Sequence, residues 1–298
     1  MTLKRTFWGL FWVTLCGFFP SEGLAQGSEA GAIVLSRIEG NVTVTNNATG
    51  EVTPATNGRF ITEGFTVTTA AEAQVILVFS NGSTVNLGSD SVLNIERYLQ
   101  DPFAEELELA DMAEEPTTST TEVRLTQGEL VGNVKKLKEG SSFKVNTPAG
   151  AAGIRGTTFR IVFRPTGDGR ATFSLTMLEG EIEFEPEGEV DSSVNVSADQ
   201  EIAVEVTIDE ATGEVTVTMP DGGIVTTVIS DQSKTSLNEV VQKVFEAVAE
   251  VVVKTNPTGP GTGGGSGSGS GGNAEPPTKN APPAPITAPR PTPTDGKA

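Results

Sequence analysis

The chain has 298 residues, and its composition excludes several classes of function before any motif is considered. It contains no histidine, which removes Ser-His-Asp and Cys-His catalysis, most zinc sites and haem ligation by histidine. Its formal net charge is -19, from 20 basic and 39 acidic residues, so nucleic acid and anionic lipid repel it. Cations, basic proteins and neutral glycans remain as partners, unless the charge serves only to keep the chain soluble.

Residues 1–25 have the three parts of a secretory signal peptide. Lys4 and Arg5 give a positive start, residues 6–19 are apolar and uncharged, and Ala25 is a small residue at the cleavage position. This apolar run is shorter than the roughly 20 residues that a bilayer span needs, which favours cleavage over an uncleaved anchor. Cys16, the one cysteine, would leave with the signal. We therefore expect an exported protein of the periplasm, cell surface or extracellular space, with no disulfide and no membrane span in the mature chain.

Residues 31–230 carry short runs in which apolar and polar residues alternate, separated by Gly, Asn and Asp, as in β-strands. Residues 65–69 and 202–208 alternate clearly, whereas residues 74–79 are nearly all apolar and indicate a strand buried on both faces. The Asn-Gly pair at 81–82 predicts a hairpin, since both residues tolerate positive φ. The chain is therefore predicted to be all-β, either a twisted β-solenoid or a sandwich-like stack of hairpins.

Residues 99–122 break the strand pattern. Seven acidic residues lie between Asp101 and Glu115, with no lysine or arginine among them. We expect a solvated surface insertion, with a short helix over residues 104–112. An acidic binding loop is the alternative.

Residues 236–253 predict one C-terminal amphipathic helix. Ser236 and Glu239 match a capping box, and valines recur on one broad face that Phe245 extends. This face is expected to cover a sheet or one end of the stack, with docking to a partner as the alternative. Residues 257–298 are rich in Gly and Ser and then in Pro, so they are predicted to form a disordered tail.

Residues 143–163 read FKVNTPAGAAGIRGTTFRIVF and carry a Thr-Pro-x-Gly element followed by Ile-Arg-Gly-Thr. These elements resemble the hallmark of FecR-type domains, and the resemblance extends over about residues 35–190. It rests on Thr147, Pro148, Gly150, Ile154, Arg155, Gly156, Thr157 and Phe159, and on the Glu-Gly turn at Glu179 and Gly180. Phe65 and Asn81 stand at turn positions where the family usually has Asp, and both departures are expected to change turn capping more than the fold.

The resemblance implies an extracytoplasmic FecR-like domain over residues 31–230. The regulators that name this family have a cytoplasmic segment that controls a sigma factor, a membrane span and a periplasmic domain that touches an outer-membrane transporter. No counterpart of the first two parts is expected in this chain, so the resemblance implies the extracytoplasmic fold rather than direct control of a sigma factor.

Within the motif, Gly150, Gly153 and Gly156 surround Arg155, and Pro148 fixes the entry to what is predicted to be a turn over residues 150–157. An arginine in such a turn can direct its guanidinium towards a carboxylate. Glu179 is the candidate acid, so an internal ion pair that fixes strand register is predicted. Recognition of an anion by Arg155 is the alternative.

Glu181, Glu183 and Glu185 alternate along one predicted strand and therefore share one face. Such carboxylates can flank a sugar or hold calcium, although a plain solvent-facing strand has the same pattern. Ser142 and Lys144 also share a face, but a spacing of two residues is no catalytic signature.

No catalytic, cofactor-binding or metal-binding residue is therefore assigned from the sequence. The sequence favours an exported, non-enzymatic binding or sensory module of the cell envelope, which could act as a signalling adaptor. Its partner is expected to be an envelope protein or glycan. A structural surface or cell-wall-associated protein and a carboxylate-based hydrolase are the alternatives.

Overall fold

The computed structural model describes residues 27–103, 107–109, 112–188, 192–209, 215–218, 224–249 and 252–253. The predicted signal peptide with Cys16 and the predicted tail at 257–298 lie outside these residues. The described part is mostly β-sheet with a single helix, so the all-β prediction is confirmed.

The strands of the first half are β1 (Glu29–Ala30), β2 (Ile33–Glu39), β3 (Val42–Asn46), β4 (Val52–Pro54), β5 (Phe60–Ile61), β6 (Phe65–Thr69), β7 (Gln74–Phe79), β8 (Thr84–Leu87), β9 (Val92–Gln100) and β10 (Leu107–Glu108). The remaining elements are β11 (Ser119–Asn133), β12 (Ser142–Thr147), β13 (Gly150–Ile154), β14 (Thr158–Gly167), β15 (Arg170–Glu179), β16 (Glu181–Pro186), β17 (Val194–Ser197), β18 (Gln200–Ile208), β19 (Val215–Thr218), β20 (Thr227–Val228), α1 (Asp231–Val248) and β21 (Val252–Val253).

Two sheets share the long strand β11. Sheet 1 has the order β4-β3-β6-β9-β11-β12-β13-β16-β17, with β1 beside the far end of β9. Sheet 2 has the order β5-β2-β7-β8-β11-β14-β15-β18, and both β19 and β20 pair with the outer edge of β18. Neighbouring strands are antiparallel except β11 and β12, which are parallel. The pairings leave both sheets open, as a sandwich does.

β11 belongs to sheet 1 through residues 119–127 and to sheet 2 through residues 128–133. Its register against β9 shifts twice, between Glu122 and Val123 and between Leu125 and Gln127. Such irregularities bend a strand and increase its twist, which lets one strand serve both layers. The shared strand therefore holds the two sheets face to face.

The core lies between the sheets, where the inward side chains of alternating strands meet. Phe79 contacts Tyr98 edge-on at a ring distance of 5.1 Å and Phe143 at 5.9 Å, and Phe173 stacks on Phe184 at 4.7 Å. All five rings are buried. Large aromatic surfaces removed from water stabilise such a core more than most other side chains do.

The sequence pattern predicts the bounds of several strands correctly. β6 and β7 have the predicted bounds, the Asn-Gly turn joins β7 to β8, and β7 is buried along both faces. The predicted turn over 150–157 is wrong, because residues 150–154 form β13 between β12 and β16. The turns are shorter and lie on either side of this strand.

α1 covers the part of the outer face of sheet 2 that β7, β8 and β11 form, but its predicted bounds need correction. The helix begins at Asp231 and ends at Val248, and its N-cap is Ser230, whose side chain accepts a hydrogen bond from the Ser233 amide at 3.1 Å. The buried residues of the helix pack against β7, β8 and β11. They are Leu237, Val241, Val244, Ala247 and Val248. Phe245 does not extend this face, since it is 43% exposed. Among the described residues, no helix is long and apolar enough to cross a membrane.

The described part of the acidic insertion packs against the rest of the chain, in contrast to the expected solvated excursion. Leu107–Glu108 form a strand that pairs with Val252–Val253, so this part of the predicted short helix is wrong. Leu109 is fully buried in an apolar cluster with Val244 and Val248 of α1. Residues 104–106 and 110–111 lie outside the described part of the chain.

Asp101 connects the start of the insertion to neighbouring segments. Its carboxylate accepts hydrogen bonds from the Thr118 hydroxyl and, at 2.7 Å, from the Ser28 hydroxyl. The bond from Thr118 and, to a smaller extent, the bond from Ser28 hold the pKa of Asp101 below its usual value. The ionised carboxylate therefore contributes to fixing the chain before β1 against the end of β9.

Candidate functional site

The first half of the FecR-like motif forms the tight turn between β12 and β13. The Thr147 hydroxyl accepts a hydrogen bond from the Ala149 amide at 3.2 Å and donates one to the Gly150 carbonyl at 3.0 Å. Gly150 has φ +143°, and a Cβ there would overlap the carbonyl oxygen of Glu185 on β16. Pro148 stands between these residues, where its fixed φ suits a turn. Thr147, Pro148 and Gly150 are therefore structural.

The second half of the motif locks the crossing from sheet 1 to sheet 2. The Thr157 carbonyl accepts a hydrogen bond from the Val134 amide at 2.9 Å, and the Thr157 side chain is buried. Gly180 has φ +87°, and a Cβ there would lie 2.5 Å from the Thr157 methyl group. Gly156 passes close to the backbone of Lys136. These contacts explain why small residues stand at 156 and 180.

The predicted ion pair between Arg155 and Glu179 is wrong. Both residues are exposed, and no ion pair joins them. The reason lies in the topology, because Arg155 follows β13 of sheet 1 whereas Glu179 ends β15 of sheet 2. Alternation after the buried Ile154 turns Arg155 to the outer face of sheet 1.

That outer face contains a groove along β13, which we call the β13 trough. Its floor is made by the outward positions of β13, Ala151 and Gly153. One wall is the outward face of β12, with Ser142, Lys144 and Asn146, and the other is that of β16, with Glu181, Glu183 and Glu185. Two adjoining cavities of about 640 Å³ and 700 Å³ lie along it.

The pairing register sets the width of the trough. Lys144 pairs with Gly153, which in turn pairs with Glu183, so this row has a side chain at each end and none between them. Asn146, Ala151 and Glu185 form the next row with only a methyl group in the middle. Two strand spacings separate the walls, or about 10 Å. The trough is therefore wide enough to take a polypeptide or glycan chain.

The charges of the trough are not paired with one another. Within the described part of the chain, Glu181, Glu183 and Glu185 form no ion pair, and neither do Lys144 and Arg155. The next strand pair on the same face differs, because Glu96 contacts Arg124 at 2.5 Å and accepts a hydrogen bond from Asn146 at 3.0 Å. The trough thus presents charged groups whose interactions remain available to a ligand.

The acidic residues of the trough lie in a single row. The three glutamates stand side by side on one strand, about 6.6 Å apart, rather than facing each other across a cleft. No group of three or more acidic, histidine or cysteine side chains among the described residues could hold a metal ion. Ser142 and Lys144 share the opposite wall, as their alternation predicts.

Asn81 does more than cap its hairpin. Its Oδ1 accepts a hydrogen bond from the Ser83 amide at 3.0 Å, and its Nδ2 donates to Ser119 Oγ at 3.0 Å. Ser119 donates in turn to the buried Glu115 carboxylate at 2.5 Å. The side chain at position 81 therefore caps its turn and also joins the hairpin to β11, where Ser119 continues the network to the insertion.

A second buried network adjoins Asn81. The Tyr98 hydroxyl accepts a hydrogen bond from the Asn81 amide at 3.0 Å and lies 2.9 Å from Ser80 Oγ. Ser80 donates to Gln100 Oε1 at 2.6 Å. Burial raises the pKa of Tyr98 far above its usual range, so the hydroxyl stays protonated. Sequence gives no signal for this network, because its members come from separate strands.

Residues 65–183 match the family model described as FecR protein. Two crystal structures of a candidate anti-sigma factor from Parabacteroides distasonis ATCC 8503 are similar to this chain, at 16% and 15% sequence identity and a TM-score of 0.37 for both. Each similarity covers 57% of this chain, and the chain spans 63% and 62% of the length of those two structures. No curated protein matches the chain.

Proposed function

We propose that this chain, in which residues 65–183 form a FecR domain, is an exported regulatory module that binds an envelope protein through the β13 trough. The family match supports a role in signalling or regulation. The observation that carries the choice of surface is the set of unpaired charges along the trough, on an outer face that the described helix does not cover. Binding there needs no catalytic group.

The two outer faces of the sandwich differ in a way that supports this assignment. On sheet 2, α1 buries Val34, Ile76 and Val78 of the strands beneath it, so this part of the face is occupied within the chain. On sheet 1, the outward residues of β12, β13 and β16 are exposed or half-buried. A partner can therefore reach the trough without displacing any described element.

Several features support a non-enzymatic role. The chain has no histidine, and the carboxylates of the trough are exposed on a broad groove rather than enclosed. Carboxylate hydrolases place two acids on opposite sides of the bond they cleave, about 5–10 Å apart. Glu181, Glu183 and Glu185 all lie on one wall, which suits contact with a partner rather than hydrolysis.

Site-specific photo-crosslinking tests the proposed surface. A photoreactive residue at position 183 is expected to crosslink one envelope protein, whereas the same residue at Glu205, an exposed position on sheet 2, is expected to leave that protein unlabelled. Equal labelling from both positions, or none from 183, would contradict the assignment. If glycosidase digestion removes the crosslinked adduct, the partner is a glycan instead of a protein.

Export is part of the proposal and has its own test. The pattern of residues 1–25 supports cleavage after Ala25, so the mature protein is expected to begin at Gln26. N-terminal sequencing of the protein recovered from the envelope fraction measures this directly. Recovery of the uncleaved chain from the cytosol would refute export.

A further inference from the structure

The acidic wall of the β13 trough has a fixed interval. Glu181, Glu183 and Glu185 are exposed and alternate with the buried Ile182 and Phe184 along β16. Strand geometry places successive outward carboxylates about 6.6 Å apart, so the three span about 13 Å. The wall therefore presents a row of negative charges at a period of two residues.

No cation of the described residues forms an ion pair with this row. The cationic groups nearest in the pairing register are Lys144 and Arg155, and β13 separates β12 from β16. Lys144 and Glu183 end the same row with Gly153 between them, about 10 Å apart at the backbone. Neither Lys144 nor Arg155 forms an ion pair with a described residue. The three exposed carboxylates are therefore open to cations of another molecule.

We infer that the β13 trough binds an extended, basic segment of a partner protein in which Lys or Arg recurs at every second residue, an inference that rests on the proposed function. An extended segment repeats its side chains at the same interval of about 6.6 Å as the glutamates, whereas a helix repeats them at three and four residues. Its intervening side chains face the β12 wall, where Lys144 favours acidic or polar groups. The net charge of -19 increases the encounter rate with such a segment.

Synthetic peptides test the spacing. The probe is a labelled peptide of about nine residues in which lysine and threonine alternate, long enough to span the trough. Its control has the same composition with the lysines contiguous at one end. Fluorescence anisotropy with the mature protein is expected to show tighter binding of the alternating peptide, and weaker binding as salt rises.

Two matched double variants locate the binding. Glu183→Gln with Glu185→Gln removes two charges from the trough, and Glu51→Gln with Glu205→Gln removes two exposed charges elsewhere. Two exposed ion pairs together contribute about fivefold to affinity, so the first variant is expected to bind the alternating peptide about fivefold more weakly. The second is expected to leave its affinity unchanged, and all proteins should melt at the same temperature.

The outcomes separate this inference from the proposed function. Equal weakening by both variants, or equal affinity for both peptides, would overturn the inference, because attraction to net charge would then explain the binding. If the crosslinked envelope protein is lost in the trough variant while the alternating peptide does not bind, the surface stands and the basic extended segment is wrong. If neither ligand responds to the trough variant, both proposals fail.

Discussion

Replacing Tyr98 by phenylalanine removes one buried hydroxyl and keeps the ring that packs on Phe79. The hydroxyl accepts a hydrogen bond from the Asn81 amide at 3.0 Å, and both residues are 0% exposed. Ser80 and Gln100 remain bonded to each other at 2.6 Å, so the Asn81 N–H is the group left without a partner. Leaving one buried donor unsatisfied costs about 1–3 kcal/mol. We expect Tyr98→Phe to lower the free energy of unfolding by about 2 kcal/mol.

Chemical denaturation followed by far-UV circular dichroism measures this change. Fluorescence is unsuitable, because Trp8 and Trp12 lie in the predicted signal peptide and Tyr98 is the only tyrosine. Thr172→Val, which removes an exposed hydroxyl on β15, is the control and should change stability by less than about 0.5 kcal/mol. A change as small as this for Tyr98→Phe would refute the role given to the buried network.

Three further predictions concern Gly180, Arg155 and Asp101. Gly180→Ala should lower stability by more than Gly167→Ala, because both have positive φ but only Gly180 also meets the Thr157 methyl group; paired urea titrations give the difference. Arg155→Ala should leave the melting temperature within the small range of surface substitutions, and a large drop would restore the rejected ion pair. The lowered pKa of Asp101 means that its stabilisation is present above its ordinary value of 3.8 and is lost as pH falls through the lower folded value. The stability difference between the wild type and Asp101→Asn should therefore shrink on acidification, and a difference that stays constant with pH would contradict this role.

Much of the fold could be predicted from the pattern of apolar and polar residues within short stretches of the sequence. Alternation located β6 and the hairpin between β7 and β8, and the apolar run of β7 indicated burial on both faces. Both signals lie within a few neighbouring residues. The helix start was misjudged for the same reason, since Ser236 matches a cap locally, whereas the structure uses Ser230. The choice between two good cap residues depends on where the helix docks.

The candidate site depends on pairing between distant segments. That Glu181, Glu183 and Glu185 share a face followed from alternation, but their position opposite Lys144 required β13 to be a strand. The glycines of the motif suggested a turn instead, because glycine serves both turns and close backbone contacts. The ion pair between Arg155 and Glu179 failed for another reason. The segments at 156–157 and 180 do lie side by side, but Arg155 follows a strand of sheet 1 whereas Glu179 ends a strand of sheet 2.

Filling the trough tests the central claim most directly. A Cβ at Gly153 would meet only the Glu183 carbonyl oxygen, at 3.9 Å, so Gly153→Leu should fold normally while its side chain occupies the floor between the walls. The measurement is the affinity of the crosslinked envelope protein for this variant and for the wild type, with melting temperatures compared in parallel. We predict a loss of more than about tenfold, or about 1.4 kcal/mol, at unchanged stability. Unaltered affinity with leucine at position 153 would show that the partner binds elsewhere.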